Sequence, residues 1–279
     1  MSQSTTDACY TMGCSEDETE RLIHQSELYE SITERFLHTA GVHNGMRILD
    51  IGSGSGDVAL TAAKMVGSTG EVVGVDVNGE ILETAKHRAK KTGLTNISFI
   101  EGDARTLEWE DNFDAIIGRL VLMYMAKPTE TLKELKSYLK PGGIIAFQEL
   151  DLTLFQSLTH PKTPLMNQLM QWICDVFQRS GAHIGMGLEL YRTFIDAELP
   201  EPKLDFAAPM GGDQLWSGYQ YIANSFRSVL PLLEEYNIAS AIEVDVETLA
   251  DRLRKEMMTA KRPIVLTPHV TAWTKLPSL

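Results

Sequence analysis

The segment Asp50-Ile51-Gly52-Ser53-Gly54-Ser55-Gly56 constrains this chain more than any other. It follows the short β-prone run Arg47–Ile51 and precedes the helix-forming run Asp57–Met65. Alternating glycines permit a tight turn and let a ligand approach the backbone. The helix start beyond them offers unpaired N–H donors. The dinucleotide pattern G-x-G-x-x-G fails here, because its third glycine position is Asp57. Asp50 before the loop and Asp57 after it would repel a pyrophosphate and suit a ligand carrying an ammonium and a sulfonium.

Strand and helix patterns alternate around this loop. Glu71–Asp76, Asn96–Ile100, Phe113–Gly118 and Ile144–Leu150 read as buried strands. Gly79–Thr92, ended by Gly93, and Pro128–Leu139 read as the helices between them. That order predicts an α/β fold: a Rossmann-like, seven-stranded, mostly parallel sheet with helices on both faces. An N-terminal helix, opened by a Ser15/Glu18 capping box and stopped at Gly41, precedes it. After Asp151 the alternation ends. Pro164–Ser180, Met186–Leu199, Gly211–Tyr236 and Val246–Met258 read as helices, Lys203–Ala208 as a sixth strand, and Ile264–Leu276 as a final strand with Pro268 as a bulge or edge. The expected organisation is a helical lid over 1–40, a ligand-binding core over 41–155, a helical substrate and lid region over 156–262, and a closing strand over 263–279. Ligands of open α/β sheets sit at the carboxyl ends of the strands, so the added helices would roof the site.

With 279 residues the chain can bury a sizeable core. Its formal net charge of −13 disfavours nucleic acid and anionic membrane surfaces as partners. Cys9, Cys14 and Cys174 form no disulfide framework and no zinc-ligand spacing, so no metal is expected. The polar, acidic first twenty residues do not resemble a signal peptide, and no apolar run approaches the ~20 residues that span a bilayer. A cytoplasmic location follows as an expectation, with a homodimer left open.

Four motifs in order resemble the class I S-adenosylmethionine-dependent methyltransferases. The acidic-x-G-x-G-x-G loop at Asp50–Gly56 is the first; Asp76 at the end of Val73-Gly74-Val75-Asp76-Val77 is the second. Glu101-Gly102-Asp103-Ala104 and Leu139-Lys140-Pro141-Gly142-Gly143 complete the set. The resemblance implies S-adenosylmethionine as cofactor. It implies that Asp76 receives the ribose hydroxyls, that Asp103 accepts from the adenine amino group, that the Ala104 N–H faces the ring, and that Val77 belongs to the cofactor site. Tyr10-Thr11-Met12-Gly13, Arg21, Gln25, Gly45-Met46-Arg47 and Phe147-Gln148-Glu149 further resemble bacterial small-molecule enzymes grouped with the ubiquinone/menaquinone C-methyltransferases. That similarity covers roughly residues 10–155. It implies that Tyr10 and Gln25 belong to a lid over the cofactor.

The expected cofactor-binding residues are therefore Tyr10, Gln25, Asp50, Gly52, Gly54, Gly56, Asp76, Val77, Asp103, Ala104 and Arg119. Arg119 stands at the tip of the fourth strand, where it meets either cofactor or substrate or forms a structural ion pair. Candidate bases are Glu149 and Asp151 at the end of the fifth strand, and His183 between two helices, with Glu149 and His183 taken as catalytic. Soft and aromatic residues of the later helices, among them Met166, Met170, Phe177, Tyr221 and Phe226, suit a partly hydrophobic small acceptor. Carbon and oxygen methylation both fit. A cofactor-binding protein with a non-methylating reaction, a protein methyltransferase, and a nicotinamide oxidoreductase are the competing readings.

Overall fold

The computed structural model describes residues 16–154 and 163–278, with side chains from residue 28 onward. Its centre is a seven-stranded sheet in the order β3-β2-β1-β4-β5-β9-β6. The first five strands are β1 (Arg47–Ile51), β2 (Glu71–Asp76), β3 (Ile97–Glu101), β4 (Phe113–Arg119) and β5 (Leu139–Leu150). They run parallel, because each is followed by a helical or looped crossover that returns the chain to the same starting edge. β9 (His269–Lys275) pairs antiparallel with both β5 and the edge strand β6 (Lys203–Ala207).

Both sheet faces are covered. Along β1, Ile48 joins a core formed with α1 (Glu16–Ala40) and α2 (Asp57–Val66), while Leu49 and Ile51 join the core of the opposite face. That alternation is the period-2 geometry of a strand. The other crossover helices are α3 (Gly79–Thr92) and α4 (Pro128–Lys136). Asn78 caps α3 by accepting from the N–H groups of Glu80 and Ile81, and Gly93 ends it at φ +72°.

The later helices share the core of the second face. They are α5 (Pro164–Arg179), α6 (Met186–Asp196), α7 (Gly218–Glu235), the short α8 (Ala241–Val244) and α9 (Val246–Ala260). Leu169 of α5, Phe194 of α6, Val229 of α7 and Leu253 of α9 belong to one cluster with Phe147 of the sheet. α1 packs on α7, so the N-terminal helix and the late helices meet beside the sheet. None of the helices among the described residues is long and apolar enough to cross a membrane.

Two expected elements differ from what is observed. The helix expected from Gly211 begins at Gly218, because Met210–Gly211 forms a small strand, β7, paired with β8 (Ile264–Val265). The single closing strand expected over Ile264–Leu276 divides into β8 and β9 around Pro268. Proline has no N–H for a ladder, and its carbonyl is instead taken by the Asp151 N–H at 3.1 Å.

Phe194 is wholly buried and meets Phe147 edge to face at 6.5 Å. Replacing it with alanine should cost about 3–5 kcal/mol of unfolding free energy, read as a lower midpoint in urea denaturation.

Candidate active site

The carboxyl ends of β1, β2 and β4 open onto a cavity of about 390 Å³. Its first wall is the glycine loop. Gly52 and Gly54 have φ values of +61° and +51°, the left-handed region that glycine enters without steric cost. A Cβ on Gly52 would stand 2.5 Å from Val121 Cγ2, whereas one on Gly54 would meet nothing within 4 Å. Gly52 is thus required for packing under the loop, and Gly54 leaves open room beside the cavity. Gly56 does not line the cavity. Its Cβ position lies 3.1 Å from Phe99 and 3.2 Å from Ala85, so it serves close packing between loop, strand and α3. Gly56, expected among the cofactor-binding residues, thus stands behind the cavity lining.

Four carboxylates, those of Asp50, Asp57, Asp76 and Asp103, line the cavity, and Asp57 pairs with Arg88 at 2.7 Å. Asp50 is fully buried and accepts the Ala59 N–H at the start of α2, while its Oδ2 has no hydrogen-bond partner. Burial pushes its carboxyl up to about 8, against the pull of the Arg119 guanidinium. Asp76 accepts the Gly54 N–H on Oδ2 and the Asn78 N–H on Oδ1, each at 2.9 Å. Those two bonds tie the tip of β2 to the glycine loop and orient the carboxylate. Asp103 is gripped by the fork of Arg105, at 2.6 Å between Nη2 and Oδ2, and this hydrogen bond holds its carboxyl below the usual range. Val77, Ala104 and Arg119 also line the cavity.

These residues fit the ligand implied by the motifs. The orphaned Oδ2 of Asp50 is an acceptor in want of a donor such as an ammonium. Asp76 retains lone pairs for hydroxyl donors. Tyr10 lies outside the described residues, as does the Gln25 side chain.

The rest of the cavity lining is largely apolar. α5 contributes Met166, Met170 and Phe177; α7 contributes Tyr221 and Phe226. Tyr29 of α1 joins them, lying 5.8 Å from Tyr221 and 4.6 Å from His269 between ring centroids. Sequence reasoning did not single out Tyr29. Its one available signal was its place on the apolar stripe of α1, which marks burial but not the site. Other aromatic and sulfur residues lie away from the cavity lining: Met123 is core, Trp216 packs on Tyr219, and Met210 is exposed.

Neither expected catalytic base reaches the cavity wall. Glu149 has no solvent exposure, and its carboxylate accepts backbone N–H groups from Val121 at 3.0 Å, Leu122 at 2.9 Å and Met123 at 3.4 Å. Burial pushes its carboxyl up to about 7, with these three N–H groups opposing. His183 turns Nε2 to the Met125 carbonyl at 3.1 Å and donates its own N–H to Met123 O at 2.8 Å. Both residues brace the loop after β4, and neither stands at the cavity wall where the expected catalytic role would place it. Asp151, likewise buried, accepts the Leu188 N–H at 2.8 Å and caps the start of α6. Among the described residues no group of three metal-ligating side chains occurs.

Glu149→Ala should therefore lower stability by about 3 kcal/mol, since it strands three buried donors. Urea denaturation checks this. Glu149→Gln should leave activity more nearly intact than Glu149→Ala, the reverse of what loss of a catalytic base predicts.

The sequence profile of a family described as a methyltransferase domain matches residues 42–198. A demethylmenaquinone methyltransferase from Staphylococcus saprophyticus is 35% identical over 143 residues, covering 51% of this chain and 57% of that protein. A ubiquinone/menaquinone biosynthesis C-methyltransferase from Haemophilus ducreyi is 27% identical over 177 residues, covering 62% of this chain and 66% of that protein. The chain thus spans somewhat more than half the length of these curated relatives. A solved S-adenosylmethionine-dependent methyltransferase from Aquifex aeolicus superposes with a TM-score of 0.50 at 22% identity, over 70% of this chain and 92% of that one, a likeness of fold.

Proposed function

The chain belongs to the methyltransferase domain family, and on that premise we propose that it transfers the methyl group of S-adenosylmethionine to a carbon or oxygen of a small, partly hydrophobic metabolite. The observation that carries this reading is one cavity with two chemically distinct kinds of lining. Asp50, Asp76 and Asp103 line it together with Met166, Met170, Phe177, Tyr221 and Phe226.

S-adenosylmethionine supplies an already activated methyl on a sulfonium. The residues that would hold it are Asp50 for the ammonium, Asp76 for the ribose hydroxyls, and Asp103 with Val77 and Ala104 for the adenine. Gly52 and Gly54 give the backbone close approach. Alignment of acceptor and methyl carbon is then the main task, with exclusion of water. The methionine, phenylalanine and tyrosine wall serves both. Flexible thioethers fill around an irregular apolar body, and rings stack on a flat one. The names of the curated relatives suggest a quinone-like aromatic ring as acceptor, and this wall suits one. The helical region over 156–262 would set acceptor choice, and the N-terminal helix would complete the enclosure through Tyr29.

Calorimetric titration with S-adenosylmethionine and S-adenosylhomocysteine should show binding to both. Asp76→Ala should weaken it about 100-fold, the loss of two hydrogen bonds to a charged acceptor. Mass spectrometry of reactions with hydroquinones and other phenolic acceptors should then show gain of one methylene. Failure of both ligands to bind would sink the reading. Binding with no methyl transfer to any acceptor would favour the non-methylating alternative.

A further inference from the structure

Among the described residues from 150 onward, the cavity lining carries three polar side chains, the hydroxyls of Tyr221, Ser225 and Thr267. The others there are aliphatic, thioether or phenyl groups such as Met166, Met170 and Phe177. Tyr221 and Ser225 stand one turn apart on α7, with Ile222 and Phe226 beside them, so one face of that helix meets the cavity. The three hydroxyls differ in what they have left to give. Ser225 Oγ donates to the Tyr221 carbonyl at 2.8 Å, which spends its proton within the helix. Among the described residues nothing pairs with the hydroxyls of Tyr221 or Thr267, and neither oxygen is sealed from solvent as that of Tyr219 is.

The Tyr221 ring is held by its neighbours. It meets Tyr29 of α1 edge to face with centroids 5.8 Å apart, and Tyr29 lies 4.6 Å from the His269 ring of β9. Residues of three elements thus fix one phenol in the wall. Thr267 carries its hydroxyl on Cβ, beside its own backbone in the connection between β8 and β9. The Tyr221 oxygen stands at the far end of a ring, clear of its backbone.

A ligand that displaces water from such a hydroxyl must replace the lost hydrogen bond or forfeit it. A site built around a donor therefore rejects a ligand of the same shape that lacks the matching atom. We propose that the Tyr221 hydroxyl is the hydrogen-bond donor that selects the acceptor molecule by an oxygen substituent, a hydroxyl or a carbonyl, on its apolar ring. The thioether and phenyl groups around it adapt to the carbon body and supply affinity without this discrimination. The inference deepens the methyl-transfer reading and rests on it in taking this wall as the acceptor's.

The test is equilibrium dialysis of two probes with one ring body, 2-naphthol and naphthalene, against the protein with S-adenosylhomocysteine present. The unaltered protein should bind 2-naphthol about tenfold more tightly, the worth of one hydrogen bond out of water. Tyr221→Phe should bring the two near parity by weakening 2-naphthol alone, since naphthalene needs only the ring that remains. A packing role for Tyr221 would instead weaken both probes together and overturn the proposal. So would a preference that survives in Tyr221→Phe, and so would equal affinity for the two probes, or binding of neither, in the unaltered protein. If Tyr221→Phe does not fold, 2-methoxynaphthalene with the unaltered protein carries the test. Its oxygen accepts but cannot donate, so it should keep most of the preference, and a preference confined to 2-naphthol would overturn the donor role. Calorimetry with S-adenosylhomocysteine separates the two readings. Cofactor binding beside any of these failures leaves methyl transfer standing, whereas absence of cofactor binding defeats methyl transfer itself.

Discussion

Glu149, a carboxylate with no solvent contact, receives three successive backbone N–H groups and thereby sets the ligand end of the molecule. An unpaired carboxylate in that position would be prohibitive, and three unpaired amides nearly as costly. Each satisfies the other, so the loop after β4 has one conformation. Leu120 is held at positive φ, Arg119 is aimed toward Thr33 and Asp57, and Tyr124 and Met125 are delivered to the cavity wall. His183 reinforces the same loop from the α5–α6 connection through the carbonyls of Met123 and Met125. The late helices are therefore keyed to the sheet by polar bonds as well as by apolar packing.

The cavity separates charge from grease, and topology explains how. The carboxylates come from the ends of β1, β2 and β3, on one side of the order reversal between β1 and β4. The apolar wall comes from α5 and α7, which follow β5 in the chain. On the proposed reading, a cationic ligand and a neutral, partly hydrophobic one would meet where the strands end. A region of low polarity strengthens electrostatic contacts among the charged groups beside it.

Much of this was legible in the residues. The loop Asp50–Gly56 announced a strand, a tight turn and a helix, because glycine takes the left-handed conformations seen at Gly52 and Gly54 without steric cost. Asp76 was legible from its place at the end of a buried strand, and Asn78 and Gly93 framed α3 by capping chemistry. Glu149 and His183, expected as bases, are engaged with backbone groups instead of the cavity. A carboxylate or imidazole near a strand end has the same one-letter appearance whether it faces a ligand or a run of backbone amides. The partners that decide between these, Val121 to Met123 for Glu149 and Met125 for His183, lie 26 to 28 and 58 residues away in the chain. The division at Pro268 was visible as a break, but its partner, the Asp151 N–H, was not.

What the sequence determined by itself was local and periodic: the alternation of strands and helices, the glycine turn, and the carboxylates beside it. These depend on φ/ψ preference, side-chain spacing and capping, all carried within a few neighbouring residues. What only the tertiary structure decided was which polar groups keep a free valence. Asp50 retains an oxygen without a partner, Glu149 and Asp151 do not, and Arg119 is divided between α1, α2 and the ligand end. Hydrogen-bond capacity is settled only when distant segments come within about 3 Å of one another, and no local pattern records which segments those will be.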